Sequence, residues 1–441
     1  MTTSPVHPGP RDDGSHVSPE RYLTSVILGI GGVIKQRPED FLVEEIPLYE
    51  PCGSGEHIYL FVEKRHMSTG ELVSLLSSHF GVPRHAIGYA GLKDKLAVTR
   101  QVMSVHAPGR KIEDFPMIQH DRAAVLWTDY HANKLRPGHL RANRFSIRVR
   151  ATPVIGVLHA RRTLAHLALH GVPNRVGEQR FGPIGNNHLV GRAIVLGRDD
   201  EALGLLLGPS ERAGESSAPA REAFARADYR AALDAFPRAA RAEQSALRAL
   251  VRGADARSAV HAIDAQGRRF FVSAFQSAVF NAVLDARVEA GTLASLHPGD
   301  LAQKHDNRAI FAVDDAAALD PTLTERLTRL EISPTGPMWG TRMMRASGNT
   351  DAAEIAALER AGVSLADLDA FDRRSAHLID GARRPLRVPV TDPQVEAGAD
   401  EHGEYVRCAF DLPRGAFATV VLREVMKPQS GHVAGAEDEP E

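Results

Sequence analysis

The residues with the clearest chemical potential lie in one short segment, Ile87 to Gln101, which reads IGYAGLKDKLAVTRQ. Within it, Asp94 stands directly between Lys93 and Lys95. Neighbouring ammonium groups favour the charged form of a carboxylate, so Asp94 is predicted to be ionised and available for chemistry. An aspartate that follows glycine is also frequent in ordinary turns before a helix. The segment alone leaves both interpretations open.

A second polar feature is the stretch from His131 to Arg150, which contains six Lys and Arg residues and no acid. Such a run suits phosphate binding, although a solvated protein face is its more common use. The whole chain is nearly neutral, with 53 Lys and Arg against 55 Asp and Glu. Local clustering of charge is therefore more informative than the sum, because an acidic tail after Ala434 masks a basic body.

Composition limits the class of protein. The chain has 441 residues, of which 43% are hydrophobic and 24% are charged, values typical of a globular protein of two or three domains. No apolar run reaches the ~20 residues of a membrane helix, and the first 20 residues show no secretory signal pattern. The two cysteines, Cys52 and Cys408, exclude a disulfide scaffold. These features predict an intracellular protein without membrane association.

Motifs for several other chemistries are missing from the sequence. It contains no GxxxxGK[ST] phosphate loop, no full dinucleotide fingerprint around Gly29 to Gly32, and no GxSxG nucleophile elbow. His166 and His170 have the spacing of a helical metal-ligand pair, but neither an HExxH pattern nor a third ligand accompanies them. A histidine-based metal hydrolase is therefore only a weak alternative.

The elements that must position these residues are predicted from periodicity and from turn residues. Strand character is found at Leu42 to Glu45, Ile58 to Glu63, Phe145 to Val149, Tyr405 to Phe410 and Thr419 to Leu422. Helices are predicted from Ser68 or Thr69 to Gly81, at Val154 to His170, at Ser273 to Ala290, and in the Ala- and Arg-rich block Leu189 to Arg268. This order indicates one α+β domain interrupted by a helical insertion.

Seven segments resemble, in the same order, the motifs of the TruD-type tRNA pseudouridine synthases. The segment KQRPEDFLVEE is similar to the family's K-x-x-PEDF-x-V-x-E motif, and GLKDKLAVTRQ is similar to its GxKDxxAxTxQ motif. The matching segments are Lys35 to Glu45, Gly91 to Gln101, Asn143 to Phe145, Gly171 to Gly182, Ser277 to Asn281, Pro334 to Gly340 and Leu412 to Glu424. One difference is mild: Ala142 replaces the usual basic or Gly residue before Asn143.

The resemblance implies a reaction on RNA. A uridine, typically uridine-13 of a tRNA, would be flipped into a pocket and isomerised to pseudouridine. Asp94 would be the essential nucleophile, which enables cleavage of the N1–C1′ bond and re-attachment through C5, with Lys35 as its ion-pair partner. Asn143 would hold a neighbouring loop, and Phe145 and Phe417 would stack on the base. Whether Asp94 attacks the sugar, attacks the base or removes a sugar proton stays open.

The resemblance also implies the partners of the protein. The reaction is redox-neutral, so no cofactor and no metal are expected. The expected partner is a tRNA, bound by a cytoplasmic monomer without an obligate protein partner. The residues predicted to contact RNA are Lys93, Lys95, Lys134, Arg136, Arg141 and Arg144.

For the fold, the resemblance implies an α+β catalytic domain with a mixed, mainly antiparallel sheet. An inserted α/β domain would face it across a cleft. The expected bounds are 21–175 and 341–427 for the catalytic domain, 176–340 for the insertion, and 1–20 and 428–441 for disordered ends. The block from Asp199 to Ala265 is expected to be a variable elaboration. A catalytically inactive RNA-binding relative is the main alternative, and the intact GLKD segment argues against it.

Overall fold

The computed structural model describes residues 22–375 and 378–427, so the two predicted disordered ends lie outside the described residues. The strands are β1 (Phe41–Pro47), β2 (His57–Arg65), β3 (Ile87–Tyr89), β4 (Val98–His106), β5 (Ala123–His131), β6 (Leu140–Arg150), β7 (Val172–Pro173), β8 (Leu301–Lys304), β9 (Ile310–Ala312), β10 (Ile332–Met338), β11 (Ala382–Pro385), β12 (Arg387–Val388), β13 (Thr391–Asp400) and β14 (Gly403–Pro413).

The helices are α1 (Thr69–Phe80), α2 (Val157–His170), α3 (Asn187–Leu196), α4 (Asp199–Leu207), α5 (Ala218–Ala225), α6 (Tyr229–Ala235), α7 (Arg241–Val251), α8 (Ala256–Ala262), α9 (Ala265–Glu289), α10 (Asp315–Ala318), α11 (Pro321–Thr328), α12 (Gly348–Arg360), α13 (Leu365–Ser375) and α14 (Ala418–Met426). Among the residues described, no helix combines the length and the apolar character that a membrane crossing requires.

One eight-stranded sheet carries the first domain. Its order is β13-β14-β6-β1-β4-β2-β5, with β3 paired to β4. Strands β1 and β4 are parallel, and the other neighbours are antiparallel. The predicted α+β class with a mixed, mainly antiparallel sheet is confirmed. Strand β1 lies between β4 and β6. These three strands, which are far apart in the sequence, therefore meet at the centre of the sheet.

Helix α1 shows that local sequence signals determine its ends. Ser68 is the N-cap and accepts a hydrogen bond from Glu71 N, while the Glu71 side chain accepts one from Ser68 N. Gly81 ends the helix at a φ of 63°, which glycine adopts without steric cost. The predicted start and end of this helix are confirmed. Leu72, Leu76 and other apolar residues of α1 are buried against the sheet.

The segment Thr419 to Leu422 is the clearest error among the sequence predictions. It was expected to be a strand, and it lies instead in helix α14. The β-branched run Thr-Val-Val fits a strand locally, but the segment is buried on most sides in the core beneath the sheet, where α14 packs on α2. The carboxylate of Glu424 also binds Leu23 N, Thr24 N and Thr24 Oγ1. Tertiary packing therefore overrides the local preference.

A second core is formed by the helices α3 to α9 together with α12 and α13. The predicted helical character of the block Leu189 to Arg268 is confirmed, because helices α3 to α8 and the start of α9 occupy it. A four-stranded sheet of order β11-β10-β8-β9 lies beside this core. Since α12, α13 and β11 all pack with this unit, we propose that the inserted domain continues past residue 340 to about Pro385.

Candidate active site

Asp94 lies in the loop between β3 and β4, with 46% of its side chain exposed. Its Oδ2 accepts a hydrogen bond of 3.1 Å from Lys35 Nζ. The Lys35 side chain is only 8% exposed, and its ammonium lies 4.8 Å from the centroid of the Phe41 ring. The structure thus brings together the lysine and the aspartate that the sequence predicted as a pair, and it leaves the carboxylate open to solvent.

The backbone at Lys35 explains how this contact is held. Lys35 has a φ of 58°, in the left-handed region that a residue with a Cβ enters only at a cost. Contacts of the residues before and after Lys35 hold its backbone in this conformation. Val33 pairs with Arg150 through two backbone hydrogen bonds of 2.9 Å, and the Arg150 guanidinium binds the buried carboxylate of Asp40 at 2.7 Å. The aspartate of the PEDF segment therefore fixes the turn that aims Lys35 at Asp94.

Lys93 faces the protein interior. Its Nζ lies 2.8 Å from Glu45 Oε2 and donates a 2.8 Å hydrogen bond to Asn143 Oδ1. The side chains of Lys93 and Glu45 are 5% and 1% exposed. This placement suits a group that locks the loop to β1 and β6, and it is a poor match for the phosphate contact that the sequence suggested for Lys93. The amide oxygen of Asn143 thus contacts the loop through the Lys93 side chain.

Lys64 is a site residue that the sequence reasoning missed. Its fully buried ammonium donates hydrogen bonds to the backbone oxygens of Lys93, at 3.3 Å, and Asp94, at 3.0 Å. From the other side, Lys93 N donates to Thr69 Oγ1 at 3.0 Å. The backbone of the β3–β4 loop is therefore held on both sides.

A signal for Lys64 was present in the alternation of β2. Leu60 and Val62 are buried at every second position, and Lys64 continues the same phase. Glu45 likewise follows Phe41 and Val43 on the buried face of β1. A charged residue in the inward phase of a strand needs a buried partner. Such a position therefore indicates a polar contact inside the fold, even though the sequence does not name the partner.

The two predicted aromatics differ in their surroundings. Phe145 is 7% exposed, and its ring centroid lies 6.4 Å from that of Phe41 and 5.7 Å from that of Phe410. Phe417 is 42% exposed and occupies the N-cap position of α14. Phe145 thus supports Phe41 and, through that ring, Lys35. Phe417 is the aromatic that presents its ring to solvent.

A groove of about 730 Å3 opens beside the β3–β4 loop. Leu92 and strand β3 form part of its wall, and Arg84, Lys134 and Arg136 contribute cations to its rim. Lys134 Nζ donates to the backbone oxygen of His85 on the same rim. Predicted RNA-contacting side chains therefore lie next to the loop that carries Asp94.

The remaining predicted cations are also at the surface. Arg141 is exposed. Lys95 is 54% exposed, and its Nζ lies 3.6 Å from Glu71 Oε2. Arg144 is exposed but donates two hydrogen bonds of 2.9 and 3.0 Å to Asp411, which raise the pKa of Arg144. Its charge is thus already compensated within the protein.

The histidine pair singled out by spacing lies together on α2. The ring centroids of His166 and His170 are 4.4 Å apart, and burial lowers the pKa of His166, helped by the charge of His170. No group of three or more His, Cys, Asp or Glu side chains able to hold a metal ion is present in residues 22–375 and 378–427.

Comparison with known proteins agrees with this geometry. The sequence profile of the family described as tRNA pseudouridine synthase D (TruD) matches residues 17–425. The chain belongs to the TruD family. The TruD assignment made from the motifs, and with it the isomerase class of pseudouridine synthases, is confirmed.

Relatives support the assignment across nearly the whole length. The tRNA pseudouridine synthase D of Geobacter metallireducens is 43% identical over 92% of this chain and 98% of its own, and that of Thermus thermophilus is 37% identical over 96% and 97%. A crystal structure from Methanosarcina mazei that carries the TruD name superposes with a TM-score of 0.78 at 29% identity, covering 92% of this chain and 96% of that one. The α+β fold with its insertion is therefore shared with TruD proteins.

Proposed function

We propose that this protein converts a uridine of tRNA, uridine-13, to pseudouridine, with Asp94 as the essential carboxylate. The observation that carries the proposal is the Lys35–Asp94 contact of 3.1 Å at an open surface, within the family's GxKD motif. A carboxylate that is held by a cation and still reachable from solvent is what a reaction at the sugar or base of a flipped nucleotide requires.

The surrounding residues have distinct roles in this proposal. Lys35 orients the Asp94 carboxylate, and the Phe41 ring beneath Lys35 fixes its ammonium. Lys93 and Asn143 set the position of the loop, because they tie it to the central strands. Phe417, with its exposed ring, stacks on the flipped uracil. This stacking offsets part of the free energy of unstacking, which is a few kcal/mol.

RNA binding uses the cations beside the loop. Lys134 and Arg136 line the groove, Arg141 is exposed near the start of β6, and these cations meet phosphates of the RNA backbone. Lys95, which is 54% exposed and lies three residues after the groove residue Leu92, adds a further charge directly after Asp94 in the sequence. Shape and backbone recognition suits a structured RNA whose target base is splayed out.

Mapping of pseudouridine in cellular tRNA tests the proposal. Cells with the gene are expected to carry pseudouridine at position 13 of tRNA, cells without it to carry uridine there, and a plasmid copy to restore the modification. A plasmid encoding Asp94→Asn is the matched control and should not restore it. Loss of a pseudouridine elsewhere would redirect the substrate assignment, and no change at any position would refute the activity.

A further inference from the structure

Four arginines outside the β3–β4 loop influence one another's charge, and two of them contact or belong to the segment that leads to Phe417. They belong to separate parts of the chain: the turn that begins the insertion, the β8–β9 turn, strand β11 and the loop after β14. They are Arg180, Arg308, Arg384 and Arg414, and together they are called the arginine cluster below.

Arg384 lies at the centre of the arginine cluster. Its Nη2 donates to Asn174 Oδ1 at 2.6 Å and to the backbone oxygen of Gly415 at 3.4 Å, which places it next to Arg414. Burial, together with the charges of Arg180 and Arg308, lowers the pKa of Arg384 to about 10. The guanidinium is still a cation at neutral pH, and its positive neighbours are close enough to disfavour that charge.

The partners of the arginine cluster are neutral. Arg180 donates to Ser273 Oγ at 3.4 Å, Arg414 donates to the backbone oxygen of Gly138, and Arg384 also lies over the ring of Phe280. Within the described parts of the chain, no carboxylate lies within 4 Å of these four guanidinium groups. Like charges held close together without a counter-ion favour binding of an anion.

A neighbouring residue shows that this arrangement is not a general property of the strand. Arg383, directly before Arg384 on β11, is buried and binds Glu354 through two hydrogen bonds of 2.6 and 2.7 Å. Arg383 thus has a complete counter-ion within the fold. The side chain of Arg384 points to the opposite face of the strand and has none.

We propose that the arginine cluster binds a backbone phosphate of the substrate RNA, near the nucleotide that reaches Asp94. The inference rests on the proposed function, because it concerns the same RNA. Guanidinium groups match phosphate with paired, directional donors. The position also fits. Gly415 is two residues before Phe417, and Arg414 bonds Gly138, which follows the groove residue Arg136. The cluster therefore continues the basic rim from the catalytic domain onto the insertion.

The test measures RNA binding against salt concentration with the full chain. The variants are Arg308→Gln, Arg414→Gln and the double variant, because both side chains are exposed and their loss leaves the cores intact. The RNAs are a tRNA transcript with uridine-13 and a mixed-sequence single-stranded oligoribonucleotide. Arg329→Gln, at the exposed C-cap of α11 and paired with Glu325, is the matched control.

Each substitution in the arginine cluster is expected to weaken tRNA binding about tenfold at low salt, and to reduce the slope of log K against log salt by about one. Arg329→Gln should change neither. Wild-type slopes in the double variant would overturn the inference while the proposed function stands. A wild-type protein that binds RNA without forming pseudouridine would refute the proposed function, and the slopes would still decide the inference. A wild-type protein that binds neither RNA would overturn both.

Discussion

The catalytic loop and the arginine cluster use charge in opposite ways. At the loop, two largely buried lysines meet carboxylates: Lys35 binds Asp94 at 3.1 Å and Lys93 binds Glu45 at 2.8 Å. In the arginine cluster, no acid of the described residues balances the guanidinium groups. Paired charges thus fix geometry within the protein, and on our proposal the unpaired charges of the arginine cluster bind a ligand. The predictions below test this distinction, beginning with the largest expected effect.

Lys93→Met should break the internal pairing of the loop. The substitution leaves the Glu45 carboxylate buried without its cation, which is expected to lower the free energy of unfolding by about 3–5 kcal/mol. Lys95→Met is the matched control, because Lys95 is exposed and should cost less than about 1 kcal/mol. Urea unfolding of both proteins gives the comparison. Equal losses in the two variants would show that Lys93 is not a buried structural charge.

Lys35→Met tests whether paired charge in the loop serves the chemistry. Without the ammonium, the Asp94 carboxylate loses the group that orients it, and kcat is expected to fall about a hundredfold, which corresponds to ~2.7 kcal/mol in the barrier. Lys35→Arg should recover part of the loss. Steady-state assays over a range of tRNA concentrations give kcat and KM for both variants. A change confined to KM would assign Lys35 to RNA binding instead.

His305 lies three residues before Arg308 of the arginine cluster, and its titration tests the effect of nearby positive charge and burial on stability. Burial, and then the charge of Arg387, lowers the pKa of His305 to about 4, although Asp306 opposes the shift. The unfolded chain takes up this proton near pH 6.5, and the folded chain takes it up only near pH 4. Stability is therefore complete above that window and falls as the pH drops through it.

The expected loss from His305 is about 2 kcal/mol between pH 7 and pH 5. His305→Gln retains a hydrogen-bonding group for Ser333 Oγ, which lies 2.8 Å from His305 Nε2, but it cannot titrate. Unfolding free energies at the two pH values should therefore differ less in the variant. An identical pH dependence in both proteins would show that His305 is not held neutral by its surroundings.

The sequence predicted features whose signals are local. The Ser68 cap and Gly81 end of α1 follow from residue types alone, and the family motifs identified Lys35 and Asp94 as partners. The strand prediction for Thr419 to Leu422 is wrong because β-branched residues favour strands locally, whereas packing against α2, which the sequence does not show, favours a helix. The inward phase of Lys64 indicated a buried charge, but its acceptors are backbone oxygens, which no residue type reveals.

The arginine cluster was beyond prediction for a different reason. Its members come from four distant segments, and the sequence does not show that these segments lie near one another. Only the fold shows that they converge and that Arg383, beside Arg384, is paired while Arg384 is not. Composition could not indicate the cluster either, because the acids elsewhere in the chain bring the net charge to −2.

The most direct test of the account is Asp94→Asn, which removes the charge and keeps the shape of the side chain. The variant and the wild type are compared for pseudouridine formation in a tRNA transcript and for affinity to the same transcript. The account predicts that turnover falls by at least about a thousandfold, or ~4 kcal/mol, while RNA affinity stays within a few-fold of the wild type. Turnover retained at the wild-type rate would contradict the assignment of Asp94 as the essential carboxylate.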